Sequence, residues 1–326
     1  MRPDRKPRRQ GDTEPEGSKG SPPSPRGGWG GGARRPSLRA SVSLWFLSCI
    51  LAGCGNEAPP APPAPPAPSG EEPGLPPLAE LRFPDWAEVD SELAPEIPAP
   101  PETGPLRWNF SEGRRYAYQF GQVLEQVDES VVAGKATRIR TRDRNRGAFE
   151  FVADFERTAK AALRIHTEES VVDGKSASRE ELAGRPPSAF ECTVKEDGTA
   201  RVRRVSGQAD AQIFFDVLLA LGEGEKSMKN GRVVTRLAGW RKVGRYECAR
   251  LETEFELRPE NASGKSLMRG RTIAYFAFRE RGFVRAATVV SVSLRSKGVT
   301  PKNEWATRSV DSRTTFRLEI LNRPGD

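Results

Sequence analysis

A mainly β fold, an antiparallel meander curved into a barrel or half-barrel with one amphipathic helix and preceded by a disordered N-terminal third, is predicted by three features of this 326-residue sequence. From residue 105 onward, apolar and polar residues alternate in long runs, the period of a half-buried strand. A single segment in that region has helical spacing instead. Of the 28 prolines, 22 fall before Pro105, and a segment so rich in proline cannot offset the entropy of ordering.

The strands are read in order. Tyr116, Tyr118, Phe120 and Leu124 share one side of an extended chain, Phe149, Phe151, Ala153 and Phe155 repeat the pattern, and Ala159, Ala161, Leu163 and Ile165 make a third strand. Successive strand side chains point to opposite faces, so each run buries one face and wets the other. Asp197-Gly198 predicts a two-residue type I′ hairpin, whose central residues both need positive φ. Runs at Val233 to Leu237, Tyr246 to Leu257, Thr272 to Phe278, Phe283 to Leu294 and Arg313 to Leu321 continue the pattern, and their short connections imply a meander. Asp210 to Leu221 breaks it: Ile213, Phe214, Val217, Leu218 and Leu221 form a helical stripe stopped by Gly222, a helix expected to plug or flank the sheet. DESVVAGK at Asp128 and EESVVDGK at Glu168 share six of eight positions and read as two similar hairpin corners at a Gly-containing turn.

The organisation ahead of this domain follows from composition. Residues 1–39 are dominated by Pro, Gly, Arg and Ser and are expected to be a disordered basic region. Ala40 to Gly53 carries no charged side chain and follows Arg34, Arg35 and Arg39, a basic n-region before an apolar h-region that is shorter than the roughly 20 residues of a membrane span. It ends in Leu51-Ala52-Gly53-Cys54. That ending resembles the lipobox of bacterial lipoproteins, in which the cysteine after a small-residue cleavage site is acylated and becomes the mature N-terminus. The resemblance implies that 40–54 is signal h-region and lipobox and that Cys54 is the lipidated residue holding the chain to a membrane. With Gly55 rather than Asp following, it implies an outer-membrane address facing the periplasm. Ala33 to Arg39 resembles a twin-arginine motif with Ala33 in place of Ser or Thr and Ser37 in place of the aromatic residue, so general and twin-arginine export both stand. Residues 55–104 form a Pro-rich tether with APPAPPAPPAP at its core, and at the polyproline II rise of about 3.1 Å per residue the whole tether reaches on the order of 100 Å. Inside it, Asp85 to Leu93 predicts one or two helical turns capped by Asp85, a peptide that either docks back on the basic domain or does nothing.

Charge is blocked along the chain. Residues 1–40 carry a net +6, 55–104 a net −9 and 105–326 a net +11. A basic domain on an acidic leash is attracted to anionic headgroups or envelope polymers. It carries no nucleic-acid reader motif and no aromatic residues interleaved with the basic ones, so nucleic acid is not an expected partner. Arg138, Arg140, Arg142, Arg144 and Arg146 alternate, which puts five guanidinium groups on one strand face. That row either grips an anion array bidentately or pairs with acids of a neighbouring strand, for which Glu252, Glu254 and Glu256 supply an opposing row.

Other chemistry is narrowed by what is missing. Cys192 and Cys248 are the two cysteines beyond the lipobox, and in an oxidising compartment they either pair or stay as buried small hydrophobes. The one histidine, His166, leaves no multi-histidine zinc site and no ready general base for a nucleophile. GKS occurs at Gly174 and Gly264, but five residues earlier stand Glu169 and Pro259 rather than the glycine a phosphate loop needs. Neither metal nor cofactor is expected. GWRKVGRYECARLE and GRTIAYFAF with RGFVRAATVV resemble uncharacterised β-rich exported lipoproteins, a resemblance that transfers no site residue. The expectation is therefore a non-enzymatic, lipid-anchored envelope protein whose β domain binds or scaffolds. The alternatives are a carrier of an apolar ligand, similar in architecture to lipoprotein-carrier half-barrels, and a hydrolase with a carboxylate site.

Overall fold

Long alternating strands need neighbours on both edges, and here the first and last of them supply each other. The computed structural model describes residues 74–321, apart from 76, 79, 102–103, 112, 155–156, 207–216, 220, 229, 259, 262–263 and 301. Its first meander holds β2 (Arg115–Val132), β3 (Lys135–Ala153), β4 (Thr158–Val172), the two-residue β5 (Lys175–Ser176), β6 (Ser188–Lys195) and β7 (Ala200–Ser206), after a short β1 (Glu96–Ile97). The second holds β8 (Gly224–Met228), β9 (Gly231–Val243), β10 (Tyr246–Leu257), the short β11 (Glu260–Asn261), β12 (Gly264–Ala277), β13 (Gly282–Val299) and β14 (Trp305–Ile320). Pairing of β14 with β2 joins the two into one antiparallel sheet of order β1-β9-β10-β12-β13-β14-β2-β3-β4-β6-β7. It is an open, curled half-barrel, whose path ends at β7 on one side and at β1 on the other.

Curvature comes from interruptions of the ladder. Register shifts interrupt it at Arg144/Asn145, Glu191/Cys192, Ala249/Leu251 and Tyr275/Phe276, and each bulge bends its strand and increases local twist. Just beyond the first, Gly147 lets β3 and β4 close in: a Cβ there would sit 2.1 Å from the Arg164 carbonyl oxygen. The two echoed segments are hairpin corners of one kind, with positive φ at Ala133 and Gly134 and again at Asp173 and Gly174, the type I′ requirement. Asp197-Gly198 does make a hairpin, between β6 and β7, but of a different type. Only Gly198 takes positive φ there, and its N–H donates to the Lys195 carbonyl at 2.9 Å while the Lys195 N–H donates to Thr199 at 2.9 Å, a longer loop built on an ordinary turn.

The concave face holds the main core. Tyr116, Tyr118, Phe120, Phe149, Phe151, Leu163 and Phe190 from the first meander meet Leu251, Ala274, Phe276 and Phe283 from the second. Trp108, on the extended segment entering β2, plugs this end: it stacks on Phe110 and Phe151 and meets Tyr116, Phe276 and Phe283 edge-on, at centroid distances of 4.9–5.7 Å. The helical stripe is partly described. Val217 and Leu218 are helical, and Val217, Leu218 and Leu221 are buried, as expected of its inward side; Ile213 and Phe214, like Phe155, lie outside the described residues.

Candidate functional site

Both faces of the second meander are covered, and the convex one is covered by the chain's own acidic segment. Parity puts Glu252, Glu254 and Glu256 of β10 on that face, directly opposite Arg236 of β9 and Arg271 and Arg269 of β12 respectively. Each glutamate is held: Glu252 by Arg236 Nε at 2.8 Å and Arg250 at 2.9 Å, Glu254 by Arg271 at 2.8 Å, and Glu256 by Arg269 at 2.8 Å and Arg258 at 3.0 Å. Burial opposes ionisation of Glu256, yet hydrogen bonds and charge from Arg258 and Arg269 carry its carboxyl below the ordinary value.

On this ladder lies the stretch that the sequence left open between docking and idleness, and it docks. Asp85 is the N-cap of the four-residue helix Trp86–Val89, its N–H donating to Glu88 Oε1 at 3.1 Å, the return half of a capping box. Phe83 and Trp86 lie over Arg269, Arg271 and Arg236. Arg269 donates to the Leu81 carbonyl, Arg271 to that of Pro84 at 2.7 Å, and Arg295 to that of Pro77 at 3.0 Å. Tyr275 donates to Asp90 and Arg313 to Glu88. Val89 completes an apolar seam with Cys248, Ile273, Tyr275, Ala277 and Val289, and β1 adds Glu96 and Ile97 to the edge of β9.

The five-arginine row lies on the convex face of β3, exposed as its spacing predicts. Four of the five meet acids: Arg138 with Glu129 at 3.2 Å, Arg142 with Glu125 at 3.6 Å, Arg144 with Glu169 at 3.9 Å and Arg146 with Glu168 at 3.2 Å. Arg140 gives its backbone N–H to Asp173 at 2.8 Å. The partners are the flanking strands β2 and β4, not Glu252, Glu254 and Glu256, which serve the second meander's own arginines. Alternation sets the face of a strand and leaves its neighbour open, hence the difference.

The Cys192–Cys248 bond does not form. Both are free and buried, Cys192 in the concave core and Cys248 in the seam beneath Val89 on the opposite face, and the sheet between them forbids a bridge needing Cα atoms within about 7 Å. Burial pushes both thiols up to about 12. His166 is exposed on β4. Among the described residues no group of three His, Cys, Asp or Glu is placed to hold a metal ion. Cys54 lies outside the described residues.

Beyond the aromatic plug, the concave face changes character in a way the strand assignments conceal. Register aligns one row as Asp143–Leu124–Thr314–Val290–Gly270–Phe255–Val233 and the next as Thr141–Gln126–Ser312–Val292–Met268–Leu257. A third runs Asp128–Val310–Leu294. The second meander's share of these rows is an aliphatic strip, with Val233, Phe255, Leu257, Val290, Val292 and Leu294 in one cluster with Val310 of β14 and Val217 of the helical segment. The first meander's share is polar. Gln126 (3% exposed), Asp143 (2%) and Ser312 (7%) are buried there. Among the described residues, both amide atoms of Gln126, Oδ1 of Asp143 and Oγ of Ser312 have no hydrogen-bond partner. Orphaned buried groups of this kind cost about 1–3 kcal/mol each, so they mark a place built for something other than stability. Beside them Asp128 accepts from Arg308 Nε at 2.9 Å. None of these residues was singled out from the sequence. The signal was present: Gln126 and Asp128 occupy the same period-two positions as Tyr116, Tyr118, Phe120 and Leu124, polar residues on what should be a core face.

Fold and site together define an open antiparallel half-barrel with an amphipathic concave face and a basic convex face that the acidic segment covers over the second meander. No protein-family model matches the chain, and no curated protein matches it. Among solved structures it is similar to lipovitellin, studied for lipid–protein interactions, with 8% identity and a TM-score of 0.37 over 66% of this chain and 26% of that one. The chain thus spans about a quarter of lipovitellin. It is also similar to a deltaS2 mutant of the TodX monoaromatic hydrocarbon channel (7% identity, TM-score 0.21, 65% of this chain and 91% of that one). A third is a DUF1329 family protein from Desulfovibrio piger (11% identity, TM-score 0.16, 62% and 85%).

Proposed function

We propose that this chain is an exported, lipid-anchored binding protein of the bacterial envelope, tethered through Cys54, whose half-barrel carries an apolar ligand along its concave face. The observation that carries the reading is the aliphatic strip Val233, Phe255, Leu257, Val290, Val292 and Leu294, on β9, β10 and β13, joined in register through Gly270 and Met268 of β12 and ending at orphaned polar groups. In this structure the strip is packed under Val217 of the helical segment, and a ligand chain lying there takes that residue's place, at about 25 cal/mol per Å² of area removed from water. The Trp108 plug fills the other end, which confines the ligand to the strip. Binding rather than catalysis is favoured by the fate of the reactive groups: the carboxylates of the convex ladder each hold an arginine, and both thiols are kept protonated by burial. The anchor rests on the lipobox Leu51-Ala52-Gly53-Cys54 behind its apolar run.

The test is native mass spectrometry of protein released from membranes in mild detergent. An alkyl-chain compound retained by the parent and lost on Val290→Asp, with far-ultraviolet circular dichroism unchanged, is the expected result. A chain that comes through repeated preparations bare, and takes up no added long-chain probe, overturns the proposal.

A further inference from the structure

We infer that the ligand of the concave face is a neutral amphiphile with a hydroxyl-bearing head group, received by Gln126, Asp143 and Ser312 while its chain lies on the aliphatic strip. The inference rests on the ligand-carrying reading above and adds the chemistry of the head.

The orphaned atoms state what they need. Gln126 presents one acceptor and one donor, whichever way its amide is turned; Asp143 Oδ1 is an acceptor; Ser312 Oγ is both. Gln126 and Ser312 face each other across β2 and β14, and Asp143 lies one row along on β3, so the three converge from adjacent strands. A carboxylate or phosphate head only accepts, and would leave Asp143 and the Gln126 carbonyl unmet. An ammonium head only donates, and would leave the Gln126 amide N–H unmet. A hydroxyl does both, so a head with two or three of them satisfies the set.

Arginines stand near both aspartates of this region, and one of the two aspartates is paired. Asp128 is held by Arg308. Arg185 donates to Ser170 Oγ at 3.3 Å, and Ser170 stands opposite Asp143 in register. Asp143 itself makes no ion pair among the described residues, so the neutral head is chosen by the donor and acceptor count. Val292 follows Ser312 in the row, and Val290 and Phe255 follow Asp143's, so a chain attached to the head enters apolar ground within one strand.

The experiment uses the full chain, stripped of endogenous lipid, and four probes at equal concentration in native mass spectrometry: 1-monoolein, oleyl glucoside, oleic acid and octadecane. Monoolein or oleyl glucoside retained about tenfold over oleic acid is expected, as befits one or two hydrogen bonds made or missed; which of the two leads distinguishes a glycerol from a sugar head. Gln126→Leu should bring the preference down to parity without loss of octadecane. It should also leave the ligand-free melting temperature equal or higher, because an apolar group of similar size replaces unpaired polar atoms. Ser312→Ala is the second, milder variant. Oleic acid held as well as monoolein by the parent, a preference that survives both substitutions, or a lower melting temperature in both, overturns the head-group assignment. Failure of all four probes instead removes the carrying reading on which it rests.

Discussion

Trp86 lays its ring 4.7 Å from the guanidinium of Arg271, and that contact fastens an acidic segment to a basic sheet. Arg271 is shared three ways, with Glu254 beside it, the Pro84 carbonyl at 2.7 Å and Trp86 above. With both partners half-buried, such a cation–π pair is worth about 1 kcal/mol. Trp86→Ala is therefore expected to speed hydrogen exchange over 81–97 and over the convex faces of β10 and β12, with β2 to β4 unchanged. Unaltered protection of that segment would assign its docking to the carbonyl and carboxylate contacts alone.

The arginine row of β3 is predicted to be nearly silent. Its ion pairs are solvent-exposed and span 3.2–3.9 Å, and exposed pairs contribute about 0–1 kcal/mol each. The triple variant Arg138→Ser, Arg140→Ser, Arg142→Ser should unfold within about 1 kcal/mol of the parent in urea and co-sediment with anionic vesicles to the same extent. A large drop in vesicle binding would make this row the anion-gripping surface.

At alkaline pH the fold should weaken. Burial pushes Cys192 and Cys248 from 9.0 and Tyr116 from 10.0 up to about 12. A raised folded pKa means stability complete below the unfolded value and lost as pH rises through the folded one. Urea midpoints should hold to pH 9 and fall from there towards 12, and Tyr116→Phe should flatten the upper part of that decline. The same burial predicts that Cys192 and Cys248 react with a thiol reagent only after unfolding.

Gly270 makes room for Phe255 beneath the aliphatic strip. A Cβ at that position would lie 2.2 Å from Phe255 Cζ and 2.9 Å from the Val289 carbonyl oxygen. Gly270→Ala is expected to cost about 1–3 kcal/mol by displacing the ring, measured as a lower urea midpoint. Phe255→Leu in the same chain should recover part of the loss, and absence of any recovery would place the strain on the backbone side.

Much of the architecture was legible along the chain. Alternation through Tyr116 to Leu124 and Ala159 to Ile165 named the buried face of each strand correctly, and the echo of SVV with a Gly turn marked two corners that share one backbone geometry. Asp197-Gly198 marked a hairpin but not its type, because the same dipeptide serves a type I′ turn and the end of a longer loop. The concave site was legible only in part. Gln126 and Asp128 break their strand's apolar parity, but Asp143 and Ser312 break nothing that reading one strand at a time would notice.

The sequence by itself determined local properties: which residues share a strand face, where the chain turns, and which blocks carry which charge. These follow from the period of two and the φ each residue tolerates, and they need no distant partner. Tertiary structure alone decided that β14 pairs with β2, that the β3 arginines meet Glu125, Glu129, Glu168 and Glu169 rather than the β10 glutamates, and that Cys192 and Cys248 lie on opposite faces. It also brought Gln126, Asp143 and Ser312 together. Strand order and register are set by contacts between residues far apart in the chain, here up to 186 positions for Gln126 and Ser312, and a strand's own alternation says which way a side chain points without saying what it will meet.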